Sequence, residues 1–220
     1  MAFQTFARAP SGSDEQKLRL QDLYRKAHFL TASAGLAQFS RLAQVAAVFE
    51  ALLYVLMDNP TRINASVRQT LASLVDCVEM LFHRARQSPP ETVSPARVLV
   101  VDDDPVSNRT TMLALAQAKL EARSSADPLQ AWEWVQQDTF DLVLLDVEMP
   151  GMSGFDFCKR LRALPGYAKT PVIYVTVHND FESRARGTLS GGDDLISKPI
   201  LPMELAAKVV MHLSKRQPAA

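Results

Sequence analysis

The chain has 220 residues, of which 24 are basic and 24 acidic, with a hydrophobic share of 47%. That length allows one large unit or two small ones, and the balanced charge lacks the basic excess that nucleic-acid binding favours. The expected partners therefore exclude nucleic acid.

The first residues, MAFQTFARAPSGSDEQ, lack the basic start and apolar core of a signal peptide. No apolar run approaches the roughly 18–20 residues of a membrane span, so the chain is expected in the cytoplasm without a membrane partner. Leu18, Leu20, Leu23, Ala27, Leu30 and Ala34 recur at helical intervals, as do Leu42, Val45, Phe49, Leu52 and Leu56, and then Ile63, Val67, Leu71, Leu74, Val78 and Leu81. Short breaks near Leu36 to Ser40 and at Met57 to Arg62 predict antiparallel neighbours, hence an all-α bundle over residues 12–87. The segment SPPETVSP, residues 88–95, reads as a linker because proline denies helix hydrogen bonds.

From residue 96 to 216 the pattern changes. RVLVV, DLVLL and PVIYVT are apolar runs of strand length alternating with helical stretches, which predicts a parallel sheet covered on both faces. Ligand sites in such sheets lie beyond the carboxyl ends of the strands. There the sequence places Asp102 and Asp103 after the first strand, Asp146 after a middle one, Thr176 at the end of PVIYVT, and Lys198 after DDLIS. Carboxylates brought together repel unless a cation joins them, and a hard divalent ion with oxygen ligands, Mg²⁺, suits this set. A cation and an ammonium beside one acid also suit phosphoryl transfer, with Asp146 as nucleophile. The two cysteines, Cys77 and Cys158, lie far apart in apolar helical patterns and read as buried thiols.

The segments VLVVDDDP, LVLLDVEMPGMSG, VTVHND and ISKPI resemble the signatures of a two-component response-regulator receiver domain, across Ala96 to about Arg216. The resemblance implies a flavodoxin-like α/β fold with a five-stranded parallel sheet. It makes Asp146 the phosphoacceptor and Mg²⁺ the cofactor, held by Asp102, Asp103, Asp146 and the backbone carbonyl of Glu148. It assigns phosphoryl binding and switching to Thr176 and Lys198, and it implies a cis Lys198-Pro199 bond. Two positions depart from the family pattern. Leu195 stands where the family has its switch aromatic, and Val177 stands where a small residue is usual; His178 and Glu148 occupy positions that tune dephosphorylation.

The helical segment KAHFLTASAG resembles the histidine motif of a histidine phosphotransfer (HPt) domain of the chemotaxis-kinase type, over roughly Glu15 to Gln87. His28 matches the phosphotransfer histidine, and Glu50, in VFEALL, matches the acid that orients it. Thr31 and Ala32 replace the family's lysine and glycine. His83 and His212 fall near helix ends, where imidazole suits the dipole. The resulting expectation is a phosphorelay signalling protein rather than an enzyme of metabolism. Its expected partners are a sensor histidine kinase or another phosphorelay protein and a partner receiver or HPt protein, with a homodimer left open. No nucleotide-binding motif is present, and no output segment is expected after Lys215. Two alternatives stay open: the helical domain is a degenerate docking module, or the chain is a Mg²⁺-dependent aspartyl phosphatase with Glu148 as the second acid.

Overall fold

In the computed structural model, the structure describes residues 2–10, 12–87, 89, 95–177 and 188–215. The chain divides into two compact units, residues 1–94 with 206–220, and residues 95–205.

The helical unit opens with a short helix, α1 (Ala2–Arg8), which lies outside the expected residues 12–87. Its Phe6 is fully buried, with the Arg68 guanidinium over the ring, and α1 packs against α2 (Asp14–Leu36) and α4 (Ala65–Ala85). Ser13 caps α2 by accepting from the Gln16 amide, and Asn64 caps α4 by accepting from the Val67 amide, which satisfies orphan donors at each start. Between them lies α3 (Ser40–Asp58), packed on both α2 and α4. One sequence expectation fails in α2. Leu18 is 65% exposed, because the buried face runs through Gln16, Leu20, Leu23, Ala27 and Ala34 instead. A second correction concerns α3, which at 19 residues is long and apolar enough to cross a membrane. Its Leu42, Val45, Phe49, Leu52 and Leu56 form core within this unit.

Helix α2 ends in a Schellman motif without glycine. Gln38 adopts φ +61°, while the Phe39 amide donates to the Ala34 carbonyl and the Gln38 amide to that of Gly35.

The α/β unit runs β1 (Arg97–Val101), α5 (Pro105–Gln117), β2 (Glu121–Ser125), α6 (Pro128–Gln137), β3 (Leu142–Asp146), α7 (Gly154–Arg162), β4 (Val172–Thr176) and β5 (Asp194–Ser197). All strand pairs are parallel, in the order β2-β1-β3-β4-β5. The runs read as strands from their apolar continuity, β1, β3 and β4, are the central ones and are buried on both faces. Edge strand β2, EARSS, is polar and was not legible as a strand. A core of Leu99, Val143, Leu145, Phe157, Leu161 and Tyr174 fills the space between the sheet and its helices.

The last helix, α8 (Pro202–Lys215), begins in this unit, and its residues from 206 onward group with the helical unit. Every residue from Glu204 to Met211 is buried, including the charged Glu204 and Lys208. Residues 88 and 90–94 of the expected linker, and residue 216, lie outside the described residues.

Candidate functional site

The topology brings the strand ends together. With β1 beside β3, Val101 pairs with Leu145 and the next residues, Asp102 and Asp146, stand at one edge. Asp146 opposes Val175, and Thr176 opposes Ser197, so Thr176 and Lys198 fall beside the acids. The Lys198 amide donates to the Thr176 carbonyl at 2.7 Å, and the Lys198-Pro199 bond is cis.

Carboxylate oxygens of Asp102, Asp103 and Asp146 all lie within 4.8 Å of one another. Asp102 is 3% exposed and Asp146 6%, so these charges are removed from bulk water. Lys198 Nζ donates to Asp146 Oδ2 at 2.7 Å and to Asp102 Oδ1 at 3.3 Å. Burial pushes the Asp102 carboxyl above the ordinary aspartate value, and the charge of Asp146 adds to this; the Ser107 hydroxyl, Lys198 and the Asp104 amide oppose it. Burial alone would lower the Lys198 ammonium, but its bonds and charge contacts with Asp146 and Asp102 prevail and hold it above the ordinary lysine value. The three carboxylates are hard oxygen donors at a spacing a small divalent cation can bridge, so they fit Mg²⁺. The Glu148 amide donates to Asp146 Oδ1 at 3.4 Å.

Several supports were not legible in advance. Ser107 donates to Asp102 Oδ2, and Asn108 Nδ2 donates to the Asp102 carbonyl at 3.1 Å, both from the first turns of α5. Asp104, the third acid of the run, accepts from the Val106 and Ser107 amides and caps α5. Gly154 is equally constrained. A Cβ there would sit 2.1 Å from the carbonyl oxygen of Asp146 itself, so the chain after the strand can return only through glycine.

At the switch position, Leu195 pairs with Tyr174 across β4 and β5 and packs partly buried against the core. The Tyr174 hydroxyl instead pairs with Ser190 at 2.8 Å, in the interior. Val177 is exposed, and His178 lies outside the described residues. Cys77 and Cys158 are buried, free thiols.

Residues 98–210 match the model of the response regulator receiver domain, just over half of the sequence. The chain belongs to the response regulator receiver family. Among curated relatives, the cyclic di-GMP phosphodiesterase response regulator RpfG of Xanthomonas campestris is 37% identical over 122 residues, covering 54% of this chain and 32% of that protein. The DNA-binding response regulator MtrA of Mycolicibacterium smegmatis is 37% identical over 121 residues, 55% of this chain and 52% of that one. The chain thus spans only a third to a half of these relatives. Among solved structures, the chemotaxis response regulator CheY4 of Vibrio cholerae is 31% identical with a TM-score of 0.51, covering 53% of this chain and 97% of that one. The β2-β1-β3-β4-β5 sheet is the flavodoxin-like order, and the receiver is a signalling module of two-component systems.

In the helical unit, the structure brings His28 and Glu50 together. His28 Nδ1 lies 2.8 Å from Glu50 Oε1, with the histidine side chain 66% exposed and the glutamate 20%. An ionised carboxylate only accepts, so in this contact Nδ1 is the donor, and in the neutral imidazole Nε2 is then the nitrogen with the lone pair. Thr31, three residues after His28, donates its hydroxyl to the Ala27 carbonyl at 2.9 Å. His83 is exposed and His212 half-buried, both in last turns.

Proposed function

We propose that this chain is a cytoplasmic phosphorelay protein in which Asp146 accepts a phosphoryl group with Mg²⁺ and His28 exchanges one with a receiver aspartate. The observation that supports the first step is the convergence of Asp102, Asp103 and Asp146 within 4.8 Å, with Lys198 bonded to two of them. Asp102, Asp103, Asp146 and the Glu148 carbonyl would hold the ion, which when bound supplies positive charge for the phosphoryl oxygens.

The residues of the chain do the rest. An Asp146 oxygen forms the new bond to phosphorus as the donor bond breaks and its electron pair leaves with the donor. Lys198 neutralises charge beside the acceptor, and Thr176, at the same sheet edge, would donate its hydroxyl to a phosphoryl oxygen. Ser107 and Asn108 keep Asp102 in place.

At the second site, the Nε2 lone pair of His28 attacks the phosphorus of an aspartyl phosphate, and the P–O bond breaks with its electrons returning to the carboxylate. The proton on Nδ1 stays there, held by Glu50. Phosphate comes from a sensor histidine kinase or another phosphorelay protein, and passes to a partner receiver or HPt protein. The balanced charge leaves nucleic acid out of the partners, although MtrA carries DNA binding in its name. A second reading rests on Thr31. With no ammonium at that position, the helical unit serves as a docking module and only the receiver is phosphorylated. The phosphatase alternative needs Glu148 in the acid cluster, and the cluster found is Asp102, Asp103 and Asp146.

The deciding experiment incubates the full chain with acetyl phosphate and Mg²⁺, then with a phosphorylated receiver, and maps the label after acid and alkali treatment. Acid-stable, alkali-labile label on Asp146 is expected from the first step. Alkali-stable, acid-labile label on His28 is expected from the second, and its absence from every receiver leaves the docking reading.

A further inference from the structure

The His28–Glu50 pair is one layer of a two-layer arrangement. One turn earlier on α2 stands Tyr24, and one turn later on α3 stands Tyr54, so the antiparallel register that sets His28 against Glu50 also sets the two tyrosines against each other. Their ring centroids lie 6.2 Å apart at 45°, and the Tyr24 ring lies 6.2 Å from the His28 ring with the planes only 17° apart. Tyr54 is 62% exposed, so its ring is free of the core.

We propose that Tyr24, buttressed by Tyr54, is a positioning residue for His28. This rests on the reading of His28 as a phosphotransfer site. A single hydrogen bond from Nδ1 to Glu50 fixes one atom of the imidazole and leaves the ring able to pivot about that contact. An aromatic face stacked against the ring removes the pivot, so Nε2 keeps one direction in solvent. The same face suits the product, because an imidazole phosphorylated at Nε2 and still protonated at Nδ1 is a cationic ring, which an aromatic quadrupole and the Glu50 carboxylate both favour. Thr31 leaves no ammonium at the position where the HPt family has one, and its hydroxyl is committed to the Ala27 carbonyl. The aromatic layer is the remaining support of the imidazole on α2.

The test uses the full chain with Tyr24→Phe, Tyr24→Leu and Tyr54→Leu, and reads two quantities. One is the rate at which phosphoramidate, a small histidine-directed donor, phosphorylates His28; the other is the order of the imidazole ring read from its ¹³C relaxation. Tyr24→Phe keeps the stacked face and should retain both. Tyr24→Leu keeps comparable bulk without the face, and should lower the rate about 3- to 10-fold, the range expected of an aromatic pair, with a loss of ring order, while Glu50 keeps the proton on Nδ1. Wild-type values in Tyr24→Leu, or an equal loss in Tyr24→Phe, would overturn the stacking role. If Tyr24→Leu does not fold, the exposed Tyr54→Leu decides the point, with a smaller loss expected and an unchanged ring order and rate overturning it. A wild-type His28 that takes phosphate from neither phosphoramidate nor any receiver removes the phosphotransfer reading, while the comparison of ring order still decides the positioning role.

Discussion

Asp146 and His28 are held by different means. Asp146 ends a central strand with a ladder on each side, is 6% exposed, and meets Lys198 at 2.7 Å. His28 stands on the outer side of a helix, 66% exposed, and owes its orientation to side chains, Glu50 on α3 and Tyr24 one turn away. In the receiver the backbone sets position, so substitutions at the site change charge and chemistry more than geometry. In the helical unit side chains set position, so removing one changes orientation first.

The largest expected effect separates the two sites outright. Asp146→Asn should lower acetyl-phosphate labelling of the receiver by at least about two orders of magnitude, as removal of a nucleophile does. His28→Gln should leave that labelling at the wild-type rate. A receiver still labelled at Asp146→Asn, measured with Mg²⁺ present, would mean that the acceptor is misassigned. Next in size is the orienting acid. Glu50→Ala should slow labelling of His28 about 10- to 100-fold, the usual cost of losing a partner that orients a reactive histidine, with helicity by circular dichroism unchanged. A rate equal to wild type would make the 2.8 Å contact an ordinary surface pair.

Gly154→Ala probes the backbone that supports Asp146. The added Cβ would meet a main-chain carbonyl at 2.1 Å, which cannot swing aside as a side chain could. A loss of about 1–3 kcal/mol in denaturant unfolding is expected, with slower Asp146 labelling in the fraction that folds. No comparable glycine restraint exists beside His28, where Gly35 has open space around it.

The charge of the receiver site gives a further contrast. The Asp102 carboxyl is held above its ordinary value by burial, so the folded chain binds that proton more tightly than the unfolded one. Its contribution to stability is therefore present below the ordinary aspartate range and is lost as pH rises through the raised value. Asp102→Asn removes this penalty and keeps an oxygen for Ser107. The metal-free variant should melt at a higher temperature than wild type at neutral pH and gain less on addition of Mg²⁺. A lower Tm in chelator, or an unchanged Mg²⁺ response, would show that Asp102 is not the strained acid.

Asp102 and Asp146 were legible because a carboxylate closing an apolar strand run has no packing reason to be there, and Lys198 because ISKPI resembles a receiver signature. His28 and Glu50 were legible as a pair because their interval matches that of the histidine and its orienting acid in the phosphotransfer family the segment resembles. Ser107 and Asn108 were not, since polar residues in the first turn of a helix read equally well as solvated. Leu18 misled because it is apolar, yet it stands two residues before Leu20 and so on another side of the helix, while Gln16, four residues before Leu20, takes the buried place. Helix α1 is too short for periodicity, and only the burial of Phe6 reveals its role.

The smallest effect tests a feature the two units share. Both contain a helix that ends in a Schellman motif without glycine. Gln38 ends α2 at φ +61°, and Lys119 ends α5 at φ +57°, with the Leu120 amide donating to the Leu115 carbonyl and the Lys119 amide to that of Ala116. A side chain with a Cβ held in the left-handed region costs about 1–2 kcal/mol, and glycine avoids this while losing about 0.4–1 kcal/mol through the freedom it adds to the unfolded chain. The difference favours glycine, so Gln38→Gly and Lys119→Gly should each stabilise by about 0.5–1 kcal/mol. Neither residue belongs to a proposed site, and labelling of Asp146 and His28 should stay at wild-type rates. Because the two caps have the same geometry, equal gains are the expected result in urea unfolding followed by a probe in each unit. A gain at Lys119 without one at Gln38 would mean that the end of α2, seven residues beyond Thr31, is held by contacts its backbone geometry does not show.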